Sequence, residues 1–303
     1  MNETPPWGTV TIALATYRRP HDLHAALASL RSVRGIGRAR VVVVDNDTEQ
    51  SARELVERSD GLNVEYVHEP RPGIAAARNA SLDAAGESDW LIFIDDDETF
   101  DREWLTELMS CAVRYEASIV SGPVITVYGP DAPRWIVRGG FLQRSRMPTG
   151  IMRGKLPATN NVTLRLSYWR LRGAPRFDES FSFTGGSDTD FFSRLIAPGD
   201  TVIWCDEALV SEVVPPGRLQ ARWILRRMIR LGNVDGRIRL RTQSRLELSA
   251  RAVVRLGYGI LRTAGALITG RGLRRKDLAF VTVALGWMGA AADRLVVEYR
   301  RDS

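Results

Sequence analysis

The strongest constraint on this chain is a repeated pairing of strands built for burial with segments of helical period. Residues 41–44 are four consecutive valines. Such a run suits a strand covered on both faces, because neither face carries a group that water would hold. Residues 9–15, TVTIALA, and residues 90–94, WLIFI, have the same character. Between them lie helical segments. One covers 22–33, with Leu23, Ala26, Leu27 and Leu30 at helical spacing; others cover 49–58, an alanine-rich 73–85, and 101–115 with Trp104, Leu105, Leu108, Met109 and Ala112. Residues 63–67 and 119–120 read as further strands. Strands alternating with helices imply βαβ units, hence an α/β fold around a mostly parallel sheet. With 303 residues, 44% hydrophobic and 26% charged, the chain can bury a large core and is not a disordered polymer.

In a parallel sheet, ligands sit at the carboxyl ends of the strands. Three polar turns follow three expected strands: Thr16–Arg19, Asp45–Thr48 and Asp95–Asp97. They are expected to converge on one edge. Residues 122–160 are rich in Gly, Pro and Arg and read as an irregular stretch. Beyond it, 161–166, 201–205 and 208–214 read as strands, and 167–171 and 188–196 as helices, the latter behind the Gly185-Gly186 turn. Pro215-Pro216-Gly217 marks a boundary. The expected organisation is an α/β domain over 1–215, in two halves (1–121 and 122–215), followed by a helical tail over 216–303.

Three consecutive carboxylates after a buried strand repel one another unless a cation or donors neutralise them. Hard oxygen ligands suit Mg²⁺ or Mn²⁺, with substrate phosphates completing the shell. Asp95 and Asp97 are therefore candidates for a metal site that takes a diphosphate. A plainer reading, an acidic loop capping the next helix, stays open from these residues alone. A prenyl-synthase DDxxD site fits poorly, because those motifs lie on helices and this one ends a strand.

Taken together, VTIALATYRRP, VVVVDNDTE, PGIAAARNASL and WLIFIDDDETF, followed by FDESFSFTGGSDTDFFSRL, resemble the inverting nucleotide-sugar glycosyltransferases of family 2 over residues 8–215. The resemblance implies the GT-A fold, a Rossmann-like nucleotide-binding sheet flanked by helices. Thr16 and Tyr17 match the family's first nucleotide-contacting turn. Asp45 matches the residue that reads the nucleobase, commonly uracil, and Arg78 an arginine near the nucleotide pocket. Asp95 and Asp97 match the ends of the DxD motif, with Asp97 the direct metal ligand and Asp95 on ribose or a metal-bound water; Asp96 supports either. Asp188 matches the catalytic base, with Asp190 a competing candidate. Asp188 as a helix N-cap, Thr16 as a cap and Arg78 as a solvated helix residue are the plainer alternatives.

Two positions depart from the family pattern. Ser187 stands where many members have an acid, and Glu212 where many have a histidine that binds metal or diphosphate. A carboxylate at 212 can still ligate metal, but when ionised it cannot donate to phosphate. All three histidines (His21, His24, His68) lie near the start, so a histidine metal cluster is not expected. Asn161 and Trp169 fall in the acceptor-side region, Asn161 either near the sugar or bonding to backbone.

The net charge of +6 divides unevenly. Residues 216–303 hold 19 Lys+Arg against 6 Asp+Glu, a net +13, and residues 1–215 hold 23 against 30, a net −7. Within the tail, RLQARWILRRMIRLGN sets apolar residues among arginines. The apolar stretches 252–269 and 278–292 are interrupted or short, so no spanning helix is expected. Basic helices with an apolar face suit an anionic membrane surface; packing on the catalytic domain or in a dimer is the alternative. No nucleic-acid recognition module is visible. Two cysteines, Cys111 and Cys205, exclude a disulfide scaffold and favour a reducing compartment. The opening MNETPPW has no basic or apolar leader pattern, so no secretory signal is expected. The expectation is a metal-dependent inverting glycosyltransferase at the cytoplasmic face of a bacterial membrane. It would use Mn²⁺ or Mg²⁺ and move sugar from a nucleotide donor, a UDP-sugar, to a glycan or polyprenyl-diphosphate-linked acceptor in polysaccharide or envelope synthesis. A sugar-phosphate nucleotidyltransferase and a non-catalytic protein on a degenerate fold are the alternatives.

Overall fold

The valine run and its two companions form the middle of a sheet. A computed structural model describes residues 6–270 and 273–296; the ends of the chain named above, 1–5 and 297–303, lie outside the described residues. In chain order the elements are β1 (Val10–Thr16), α1 (Pro20–Leu30), β2 (Ala39–Asp45), α2 (Arg53–Glu57), β3 (Val64–His68), α3 (Ile74–Ala85), β4 (Trp90–Asp95) and β5 (Glu98–Phe100). They continue with α4 (Trp104–Arg114), β6 (Ile119–Ser121), β7 (Val124–Val127), α5 (Arg134–Gly139), β8 (Gly150–Ile151), β9 (Val162–Arg165), α6 (Leu166–Leu171) and α7 (Ser187–Leu195). Then follow β10 (Val202–Trp204), β11 (Val210–Val213), α8 (Ala221–Arg239), α9 (Arg245–Ile268) and α10 (Arg275–Ala291).

The chain divides into two compact units. The first comprises 1–125, 144–182 and 187–212, and the second 126–143, 183–186 and 213–303. In the first, the large sheet has the order β3-β2-β1-β4-β9-β6-β10-β8. β3, β2, β1 and β4 pair in parallel, while β9 runs antiparallel between β4 and β6. Alternation along β1 sends Val10, Ile12 and Leu14 into a core shared with Leu23 and Leu27 of α1 and Trp104 and Leu108 of α4. Ala13 faces a second core with Leu82 of α3 and Phe191 and Phe192 of α7. Helices thus cover both faces, which is why the strands carry apolar residues on both. A small second sheet has the order β5-β11-β7.

Parallel register sets the functional edge. Thr16 lies opposite Asp45, Asp45 opposite His68, and Ala15 opposite Asp95. The strand order reverses between β1 and β4, so the crevice of an open α/β sheet falls at Thr16 and Asp95.

Two helices depart from the reading: α5 forms within 122–160, read as irregular, and the start of α2 is displaced. α2 begins at Arg53, not at residue 49. The Asp45 carboxylate accepts the backbone N–H groups of Asp47 at 3.0 Å and Ala52 at 2.8 Å, and Gln50 has a φ of 55°. A buried acceptor therefore competes with the helical ladder for 47–52 and wins. Asn161 is also decided by its bonds. Its side chain donates to the carbonyls of Pro123 (3.0 Å) and Ala208 (2.8 Å) and accepts from Trp104 Nε1 (2.9 Å). It is buried at a φ of 132°, so the structure favours the backbone-bonding alternative over a place beside the sugar.

In the second unit, α10 packs on both α8 and α9. The α8–α10 approach is close enough that a Cβ on Gly232 would lie 2.6 Å from Val283 Cα, and one on Gly286 would lie 2.4 Å from Asn233 N. Only glycine allows that spacing. A buried Asp277 at the start of α10 pairs with Arg262 of α9 at 3.2 Å. On α8, Arg230 donates to the Thr184 carbonyl and Arg237 to the Thr184 hydroxyl. Among the described residues no helix is long and apolar enough to cross a membrane.

Candidate functional site

The three turns do converge, and hydrogen bonds tie them together. Asn46, just past β2, donates its backbone N–H to the Thr16 carbonyl at 2.9 Å. Its side chain donates to the carbonyls of Glu69 and Arg71 and accepts from the Gly73 N–H at 2.9 Å. One buried amide thereby joins the ends of β1 and β2 to the turn that opens α3. That turn needs glycine: Gly73 has a φ of 123°, and a Cβ there would lie 2.3 Å from Ser182 Cβ.

Asp45 is wholly buried. Besides the two loop N–H groups it accepts the Tyr66 hydroxyl at 3.1 Å, and burial with that carboxylate beside it pushes the Tyr66 phenol up to about 12. The structure therefore gives Asp45 an organising place beneath the 47–52 loop, with its oxygens already engaged. Asp47 in that loop pairs with Arg18 at 3.1 Å. Tyr17 is half-buried beside it, its ring 5.4 Å from the Arg18 guanidinium.

The acidic turn sits across the crevice. Thr16 Oγ1 donates to Asp96 at 2.7 Å. Arg19 donates to Asp96 at 3.3 Å and to Asp97 at 3.2 Å. Asp95 lies 4.0 Å from Arg78 of α3. Behind these, Glu98 is buried, and one of its oxygens accepts the Asp95 N–H at 2.9 Å. Crowded, desolvated carboxylates favour their neutral forms. Burial pushes Asp95 up to about 7, with Asp97 adding to the rise and Arg78 opposing it. Burial likewise pushes Asp96 up to about 6 and Glu98 well above the usual carboxylate range. The second Glu98 oxygen is buried with no hydrogen-bond partner among the described residues. A set of hard oxygens held at such cost suits a small divalent cation. The residues present therefore fit one, and Asp97 and Asp95 would hold it.

Glu212 of β11 stands opposite Glu98 of β5 and forms an ion pair with Arg144. Reasoning from the sequence missed Arg144, because its neighbours Glu212, Glu98 and Asp95 are far from it in the chain. It missed Arg19 and Glu98 for a nearer reason: both look like ordinary flanks of a motif. Arg144 thus sets a cationic donor beside Glu212, which when ionised has none of its own.

On the acceptor side, Asp188 is the second residue of α7 and half-buried, and its carboxylate accepts the Thr189 N–H at 2.8 Å. Asp190 is different. It is buried and takes both Nε (3.0 Å) and Nη2 (2.8 Å) of Arg194. Of the two candidates, Asp188 keeps the more accessible carboxylate. Ser187 accepts from Arg78 Nη1 at 2.9 Å. Trp169 donates its indole N–H to the Pro175 carbonyl at 2.9 Å.

Comparisons with known proteins give the family and the fold. A family model described as "Glycosyl transferase family 2" matches residues 11–171. The chain is 41% identical over 239 residues to "Succinoglycan biosynthesis protein ExoM" of Rhizobium meliloti (strain 1021), covering 76% of this chain and 74% of that one. It is similar in structure to S. aureus TarS 1–349 in complex with UDP, with a TM-score of 0.54, 15% identity, and coverage of 94% of this chain and 90% of that one. It is also similar to GalNAc-T7 with UDP, GalNAc and Mn²⁺, with a TM-score of 0.53 and 13% identity; this match covers 69% of this chain and 44% of that one.

Proposed function

Because the chain belongs to glycosyltransferase family 2 and has the GT-A fold, we propose that it is an inverting, metal-dependent transferase. It moves sugar from a UDP-sugar to a glycan or lipid-linked glycan acceptor in bacterial polysaccharide synthesis. The observation that carries this reading is the row of contacts along one sheet edge: the hydrogen bonds Thr16–Asp96, Arg19–Asp97 and Arg78–Ser187, and the 4.0 Å approach of Arg78 to Asp95. It links a nucleotide-side turn, an oxygen-rich cation site and the start of the base-bearing helix. The ExoM relative supports polysaccharide synthesis as the setting, and the UDP and Mn²⁺ in the two solved structures support the donor and the cation class. The catalytic domain is read as 1–215 and the basic tail as 216–303.

In this reading Thr16 and Tyr17 line the nucleotide turn, and Asp45 sets the loop that borders the base. Asp97 and Asp95 would hold Mn²⁺ or Mg²⁺, which when bound neutralises charge on the departing diphosphate. Arg19, Arg78 and Arg144 supply fixed positive charge around the same oxygens. Asp188 accepts the proton of the acceptor hydroxyl as that oxygen bonds to the anomeric carbon. The electron pair of the breaking bond leaves with the diphosphate, and the configuration inverts. The test is a donor series of nucleotide sugars with Mn²⁺, read as acceptor-dependent release of nucleoside diphosphate. Release of free diphosphate from a nucleoside triphosphate and a sugar phosphate would assign a nucleotidyltransferase instead. Failure to bind any nucleoside diphosphate would assign a non-catalytic protein.

For location we propose an anionic bilayer surface at the inner face of the membrane. On α9, Leu246, Val253, Val254, Ile260, Leu261 and Ile268 are exposed, Leu246 at 81% and Ile268 at 85%. At 100° per residue they fall within one broad stripe, and the arginines of α9, Arg245, Arg251, Arg255 and Arg262, lie outside it. A 24-residue helix is about 36 Å long, and lying flat it offers a continuous apolar face to a bilayer. The net +13 of the tail is the argument for lipid over a second copy of the chain. The full chain should sediment with vesicles of phosphatidylcholine and about one third phosphatidylglycerol. The V254D/L261D double variant should stay in the supernatant and still bind UDP. A chain that dimerises through this face, and loses the dimer but no vesicle binding in the variant, would assign the face to a second copy.

A further inference from the structure

Arg78 is placed to do more than border a nucleotide. It projects from α3, with its side chain 13% exposed. One amino group, Nη1, donates to Ser187 Oγ at 2.9 Å, and the other, Nη2, lies 4.0 Å from Asp95 Oδ1. Its guanidinium carbon stands 5.9 Å from the Phe177 ring centroid, and Phe177 stacks on Phe191 of α7 at 4.1 Å. The planar fork of an arginine holds two partners at a set separation, which a flexible lysine does not. Both partners matter to the reaction read above. Asp95 belongs to the oxygen cluster, and Ser187 is the first residue of α7, immediately before Asp188.

We propose that Arg78 is a positioning residue with two ends, and that Ser187 is its neutral anchor, so that together they set where Asp188 stands relative to the donor carboxylates. This rests on the reading of Asp188 as the base. It also accounts for serine at 187. A carboxylate there would form a charge-assisted bond to Arg78 and draw the guanidinium away from Asp95. A hydroxyl accepts one bond and leaves the positive charge shared.

The test uses the full chain with UDP-sugar, acceptor and Mn²⁺, and separately measures UDP binding by calorimetry. Ser187→Ala should lower kcat roughly tenfold, as the loss of one aligned hydrogen bond to a base-bearing segment allows. The donor KM and the UDP affinity should stay within about twofold of wild type, a split that points to an interaction felt in the transition state. Ser187→Thr should restore kcat, and Ser187→Asp should not. Arg78→Lys combined with Ser187→Ala should cost no more than Arg78→Lys alone, because both remove the same bond. A wild-type kcat in Ser187→Ala, additive losses in the double variant, or a matching loss of UDP affinity would overturn the proposal. Asp188→Asn run in parallel separates the two ideas. If it is inactive while Ser187→Ala is unimpaired, the strut alone fails. If it transfers at the wild-type rate, the base assignment fails and takes the strut with it.

Discussion

Asp188→Asn should lower the rate of sugar transfer by about 10²- to 10⁴-fold, the usual contribution of a positioned general base, and leave Mn²⁺-dependent UDP binding unchanged. The substitution is chosen to isolate the chemistry. Asp188 also accepts the Thr189 N–H at 2.8 Å, and an asparagine oxygen accepts the same bond, so the start of α7 keeps its support. What asparagine cannot do is take a proton from an acceptor hydroxyl. The matched control is Asp190→Asn. Asp190 is buried against Arg194, so its loss should lower thermal stability by leaving a cation poorly matched, with transfer reduced only as far as the fold suffers. Transfer by Asp188→Asn at close to the wild-type rate would remove Asp188 as the base.

Asp97→Ala should abolish the metal dependence of UDP binding, weakening affinity in Mn²⁺ by at least about 100-fold; even changes to groups supporting a ligand cost 10- to 100-fold. Without metal, the variant should bind UDP as weakly as wild type. The reason lies in the company Asp97 keeps. Asp95, Asp96 and Glu98 are all pushed above their ordinary values by burial, so each gives up its proton reluctantly. Asp97, held by Arg19 at 3.2 Å, sits at the end of this row. Removing it takes one hard oxygen donor from a cation and leaves Arg19 the single carboxylate of Asp96 from the pair it bridges. Calorimetry showing unchanged binding with Mn²⁺ would take Asp97 out of the site.

Much of this was legible in order along the chain, and the exceptions share a cause. α1, α3 and α4 follow from apolar spacing, and β1, β2 and β4 from their uninterrupted apolar runs, because the signal for each is contained within a dozen residues. α2 is the counterexample. Residues 49–52 have no local reason to leave the helix. The reason is Asp45, buried at the end of β2 and accepting the N–H groups of Asp47 and Ala52. The antiparallel insertion of β9 between β4 and β6 is likewise silent in the sequence, since a four-residue strand carries no mark of its direction. Asn161 left two readings open until its bonds to Pro123, Ala208 and Trp104 placed it in the scaffold.

The sequence by itself determined the α/β class, the edge where the polar turns gather, the run of carboxylates that follows β4, and the split between an acidic body and a basic tail. These are properties of short segments or of simple charge counts. Only the tertiary structure decided which charges face each other. Arg144 finds Glu212 across 68 positions, Arg78 finds Ser187 across 109 and Asp95 across 17, and Arg19 finds Asp97 across 78. Coulomb and hydrogen-bond energies depend on separation in space, over a few ångströms, and no local pattern of residues encodes which distant arginine will arrive there.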